Sequence, residues 1–210
     1  MNFFIAIITI LLFVFYFIQH KSKFSYSTII TFIFLGIGTQ FVGHIVIIFV
    51  KLFISTEKGF EEMAKMAQYN NIFLTIIDVS LITPIIEEYI FRKLIQTKLT
   101  SLFSIKISLF LQALIFGIAH FNLYQLFPTI ILGLIFGFFY YKFESLYVPI
   151  TLHMFSNFAP YIWRIVPEKY DIFFWPLCAI SLIIGLYMLC SIPSNKIHMI
   201  SRPKIMGQNS

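Results

Sequence analysis

The segment Thr83-Pro84-Ile85-Ile86-Glu87-Glu88-Tyr89-Ile90-Phe91-Arg92 sets two adjacent carboxylates and an arginine at the end of a run otherwise suited to hydrocarbon. A charge at the centre of a membrane helix costs roughly 2.5–3.5 kcal/mol on insertion scales, so each of these groups needs a partner or a polar cavity. On a helix Glu88 and Arg92 are four residues apart, share a face and can form an ion pair. Glu87 sits about 100° round the helix and five residues from Arg92, which leaves it without that partner. A carboxylate so placed is a candidate general base. The plainer alternative is that both glutamates lie at the membrane surface and anchor the helix end with Arg92 and Lys93, and this segment alone does not separate the two.

His120 closes Phe116-Gly117-Ile118-Ala119-His120, and His153 and Asn157 frame His153-Met154-Phe155-Ser156-Asn157, both within apolar runs. The spacing of four puts His153 and Asn157 on one helical face, where two hydrogen-bonding groups can point at one spot. A lone histidine inside a membrane helix is more often a bridge between helices than a catalyst, and His44 has only that reading. Three polar residues on two segments, added to the carboxylate pair on a third, exceed what helix anchoring requires. Pro84 lies three residues before Glu87 and Pro149 four before His153; each frees a backbone carbonyl and can open its helix beside these side chains. Proline is also common in transmembrane helices for other reasons.

Membrane helices have to hold these residues. The 210-residue chain is 59% hydrophobic and 11% charged, with a mean hydropathy of +0.89, where a soluble domain carries about 25% charged residues. Crossing a bilayer takes roughly 20 apolar residues. Apolar runs at 2–19, 28–54, 72–91, 103–121, 126–143, 146–163 and 171–192, each bounded by charged, polar or proline residues, predict an all-α polytopic transmembrane bundle of about seven spans. They make one domain, 1–192, followed by a polar tail, 193–210. Between the second and third spans, Phe60, Met63, Ala64 and Ala67 recur at helical spacing against Glu61, Glu62, Lys65 and Gln68. That stretch suits an interfacial helix or an ordinary amphipathic loop helix. The first run has no basic stretch before it and no small-residue cleavage site after it, so it reads as a retained helix.

The net charge of +6 does not imply a nucleic-acid partner, because the basic residues lie between apolar runs and form no patch interleaved with aromatics. Sorted by side, Lys21, Lys23, Arg92, Lys93, Lys98, Lys106, Lys142, Lys196, Arg202 and Lys204 share one face, and Lys51, Lys58, Lys65, Arg164 and Lys169 the other. The richer face is expected to be cytoplasmic, giving a multi-pass cell-membrane protein with its amino terminus outside and its carboxyl terminus inside. Cys178 and Cys190 both fall in the last apolar run, at neither a disulfide nor a metal-ligand spacing. Gly133 and Gly137 permit close helix packing, within a chain more often than in a dimer. Asp78, nine residues before Glu87, falls on the opposite side of its helix and outside the candidate site.

The motifs Glu-Glu-x-x-x-Arg, Phe-x-x-x-His and His-x-x-x-Asn, in that order, resemble the CAAX prenyl protease and bacteriocin-processing family of intramembrane endopeptidases. They run from Glu87 to Asn157 and cover that family's four-helix catalytic core, here about 72–163, while the outer spans are divergent. The resemblance implies that Glu87 activates water, His120 assists it, and His153 with Asn157 stabilises the tetrahedral oxyanion, with Glu88 and Arg92 orienting and tuning the base. Such roles fit the chemistry of a desolvated carboxylate and of paired donors where negative charge develops. The family has also been described as metal-dependent, and Glu87, His120 and His153 offer a His₂Glu zinc set. The metal-free reading is preferred, since Asn157 suits an oxyanion hole better than a metal shell, so no cofactor is expected.

The expected substrate is a membrane-associated peptide or protein precursor, such as a bacteriocin or signalling peptide, with membrane lipids as the surrounding partner. Two rivals belong to other classes. A bacteriocin-immunity or scaffold protein would keep the fold without catalysis, and the intact polar set argues against it. A proton-coupled transporter would also place Glu and His in the membrane, but the chain is short and shows no repeated halves. The depth of His120 is harder to place. At 1.5 Å per residue, Glu87 and His153 would each lie roughly 10 Å below the cytoplasmic surface, and His120 roughly 20–25 Å along its helix from that side. Bringing them together takes strong tilt of that helix or its extension past the headgroups.

Overall fold

The computed structural model describes residues 25–53, 72–163 and 166–192. The expected span at 2–19, the amphipathic stretch and the polar tail lie outside the described residues. The remaining apolar runs become helices α1 (Tyr26–Phe53), α2 (a continuous run over 72–100), α3 (Ile105–Ile118), α4 (Leu123–Phe143), α5 (Tyr147–Trp163) and α6 (Phe174–Cys190), the last entered through a 3₁₀ turn at Glu168–Phe173. No strand occurs among the described residues, and the all-α membrane bundle expected from the apolar runs is what forms. By length and composition α1, α4 and the Glu168–Cys190 stretch can cross a membrane.

Helix α1 is the packing centre, lying against α4, α5 and α6. Two glycines allow that approach: a Cβ on Gly36 would stand 2.7 Å from the Leu152 carbonyl oxygen of α5, and one on Gly38 2.5 Å from Leu182 Cα of α6. Phe32 and Leu35 of α1 then enter a core with Phe136, Phe139 and Phe143 of α4 and Val148 and Leu152 of α5. The Phe139 and Phe143 rings stack at 5.9 Å, and Phe32 meets both edge-on, a favoured aromatic geometry.

Helices α3 and α4 form a hairpin that carries His120 at its apex. The chain passes through Phe121 at φ 49° and is capped by Asn122, whose Oδ1 accepts the Tyr124 and Gln125 N–H groups at 2.9 and 3.3 Å, satisfying donors that a helix start leaves open. The Gly133–Gly137 face packs internally. Added Cβ atoms there would meet Ala113 and Phe116, and Gln112 and Gln96, respectively.

Helix α2 departs from the sequence-based boundary. Its apolar run ends near Phe91, but the helix continues to Thr100, because polarity marks where hydrocarbon ends and not where a helix must stop. Gln96 secures the extension by donating from Nε2 to the Gly137 carbonyl at 2.9 Å. Two widened, π-type turns, Asp78–Ile82 and Tyr89–Gln96, flank the ordinary turn Thr83–Glu88. In the first, the Thr83 N–H donates five residues back to the Asp78 carbonyl. The Val79 carbonyl would next look to residue 84, which is proline and has no N–H. That oxygen is therefore left without a partner in its own helix.

Candidate active site

Glu88 and Arg92 share a face of α2, as their spacing requires, and are fully buried. Nη2 of Arg92 donates to Glu88 Oε1 at 3.2 Å, and Nε lies 2.8 Å from Oε2 as a close ion-pair contact without hydrogen-bond alignment. The remaining face of the guanidinium is also occupied. Nη1 donates to Gln112 Oε1 of α3 at 2.6 Å, and Cζ sits 4.8 Å from the centre of the Phe116 ring. Breaking a buried pair strands a charge, so this arrangement holds α2 and α3 in one register.

His153 of α5 reaches across to the same carboxylates. Its Nδ1 is 2.9 Å from Glu88 Oε1; an ionised carboxylate only accepts, so Nδ1 carries the proton and donates. Nε2 consequently faces Glu87, 3.7 Å from Oε2. The Phe136 and Phe116 rings flank the imidazole at 5.1 and 6.0 Å. Glu87 keeps about a quarter of its side-chain surface exposed, while Glu88 keeps none. The two adjacent glutamates thus have different environments, one open to a cavity and one sealed behind it.

Asn157, one turn beyond His153, donates from Nδ2 to the Val79 carbonyl at 3.0 Å. This is the oxygen freed by the widened turn and Pro84. An amide carries two N–H hydrogens, so one binds α5 to α2 and the other is left for a ligand. His120 donates from Nδ1 to the Phe116 carbonyl at 2.8 Å, since a carbonyl can only accept, which leaves the Nε2 lone pair available. Glu87, His120, His153 and Asn157 all line one cavity of about 300 Å³, closed elsewhere by Val79, Thr83, Phe116, Phe136 and residues of the first turns of α4.

The difficulty over the depth of His120 is resolved by the extension of α2. Glu87 is thirteen residues from Thr100 and His120 fifteen from Ile105, roughly 20 and 22 Å, so the two are level across the α2–α3 hairpin. His153, six residues into α5, shows that the α2–α3 corner projects beyond the α4–α5 corner by roughly 10 Å.

Sequence reading missed Gln112 and Gln96. The signal for Gln112 is a stripe at intervals of four, Ser108, Gln112, Phe116 and His120, on one face of an otherwise apolar helix. His44 lies apart, stacked on Trp175 at 3.7 Å, in line with its helix-bridging reading. Among the described residues no group of three or more His, Cys, Asp or Glu side chains is arranged to hold a metal ion. Nδ1 of His153 is bonded to Glu88 and Nδ1 of His120 to a carbonyl, so Nε2 is the nitrogen of each ring not engaged in these bonds.

Residues 69–159, under half of the chain but including all six singled-out residues, match the family model described as type II CAAX prenyl endopeptidase Rce1-like. The resemblance carried by the three motifs holds over this segment. A curated protein of Bacillus subtilis (strain 168), named "Putative membrane peptidase YdiL", is 34% identical over 96 residues, 46% of this chain and 39% of that protein. The aligned part thus spans about two-fifths of the length of that relative. No solved structure matches. Both similarities support a membrane protease in general terms.

Proposed function

We propose that this protein is an intramembrane endopeptidase, CAAX-protease-like in its chemistry, which hydrolyses a peptide bond in a membrane-associated peptide or protein precursor without a metal. The observation that carries the reading is the shared cavity of Glu87, His120, His153 and Asn157, with the Glu88–Arg92 pair sealed behind it. Water held by the Glu87 carboxylate and the free Nε2 of His120 attacks the substrate carbonyl carbon. Its proton passes to Glu87 and the carbonyl becomes an oxyanion. The second N–H of Asn157, and Nε2 of His153 when it carries a proton, stabilise that oxygen, so negative charge moves from Glu87 to the oxyanion beside these groups. Collapse of the tetrahedral intermediate breaks the C–N bond, Glu87 returns the proton to the leaving amine, and the acid product passes its own proton to that amine, so the products are a carboxylate and an ammonium.

Two expected outcomes follow for this chemistry. Purified protein should cleave peptide after exhaustive chelation, with metal analysis far below one ion per chain. Chelator-sensitive cleavage restored by stoichiometric zinc would reassign Glu87, His120 and His153 as ligands. Asn157→Ala removes an oxyanion donor and strands the Val79 carbonyl, so turnover should fall roughly 10²–10³-fold with KM little changed. The same variant should lose about 1–3 kcal/mol of stability in denaturant unfolding. A wild-type turnover number would remove Asn157 from the mechanism.

The orientation is part of the proposal: a cell-membrane protein with Met1 outside and Ser210 in the cytoplasm, acting on substrates in the cytoplasmic half of the bilayer, as the distribution of Lys and Arg favours. Reporter fusions at Ser145, between α4 and α5, should read cytoplasmic, and at Glu168, before α6, external. The reverse pattern would place the cavity in the outer half.

A further inference from the structure

Resting on the proteolytic reading above, we infer that Gln112 is a positioning residue for the reaction, which fixes His153 through a buried relay of Gln112, Arg92 and Glu88. Both amide hydrogens of Gln112 are committed, to the Gly133 carbonyl at 2.9 Å and the Leu109 carbonyl at 3.1 Å. The amide cannot turn over without facing carbonyls with its own oxygen, so Oε1 must point at Arg92 Nη1, 2.6 Å away. That leaves Nη2 of Arg92 to donate to Glu88 Oε1 at 3.2 Å, with Nε in ion-pair contact with Oε2, and the same Oε1 receives the His153 Nδ1–H. Each link admits one donor direction, so the backbone of α4 at Gly133 sets which nitrogen of His153 faces Glu87 and the cavity. An uncharged acceptor is the group this position needs. It satisfies the third edge of the guanidinium without drawing the positive charge from Glu88.

Gly137 provides an independent handle on the same relay. A Cβ there would stand 2.5 Å from Gln112 Nε2 and 2.9 Å from Gln96 Oε1, the far ends of flexible side chains, so Gly137→Ala should fold by displacing these amides. The test uses full-length protein in nanodiscs with ¹⁵N-labelled histidine, the His153 signals being identified by their loss in His153→Asn. Gln112→Met and Gly137→Ala should both shift the Nδ1–H signal of His153 and leave that of His44 in place. Both should lower kcat by on the order of 10²-fold with KM held, as misplacement of a reacting group does. If Gln112→Met does not fold, Gly137→Ala alone decides. An unshifted His153 signal in folded Gly137→Ala protein would overturn the proposal, whatever its activity. Shifted signals in both variants, with no peptide cleaved by the wild type, would support the relay and reject the proteolytic reading.

Discussion

Glu88→Gln is expected to lose roughly 3–5 kcal/mol of folding stability together with its activity, the cost of breaking a buried charge pair. The carboxylate accepts at Oε1 from both Arg92 Nη2 and His153 Nδ1 and holds Oε2 2.8 Å from Arg92 Nε in an ion-pair contact. An amide replaces one of those acceptors by an NH₂ group, which must then face a donor. Arg92, fully buried, would retain its charge with no anion in contact. Denaturant unfolding in detergent reads the loss directly. A variant as stable as wild type would show that the pair does not hold α2 against α3 and α5.

Glu87→Gln, one residue away, is expected to behave in the opposite way, with activity reduced by on the order of 10²–10⁴-fold through loss of a general base and stability within about 0.5 kcal/mol of wild type. Glu87 is partly exposed, and the His153 Nε2 that faces it is 3.7 Å away, beyond hydrogen-bond reach, so an amide of the same shape leaves nothing stranded. Substrate binding should persist, because the change alters proton transfer and leaves the walls of the cavity intact. Equal stability losses in the two variants would overturn the division of roles between the adjacent glutamates.

The pairing of Glu88 with Arg92 was legible in the sequence, because helical spacing alone pairs those two and turns Glu87 away. The common face of His153 and Asn157 was legible for the same reason. What the sequence hid were consequences that need two steps. The end of α2 was misplaced because Lys93, Gln96 and Lys98 look like a loop outside hydrocarbon, although a helix past the membrane surface need not be apolar. The error in α2 produced the apparent mismatch in depth between Glu87 and His120. Asn157 could be seen as a donor, but not its bond to Val79, which depends on a widened turn meeting Pro84. Gln112 was passed over as a single amide in an apolar run, and only the position of Arg92 gives it a purpose.

The central claim, that Glu87 activates the attacking water, is tested most directly by incubating purified wild-type and Glu87→Gln proteins, matched for unfolding midpoint, with a diverse peptide library in micelles and reading new termini by mass spectrometry. The account predicts a set of cleavages with the wild type that disappears with Glu87→Gln. Cleavage of the same bonds at similar rates by both proteins would contradict it.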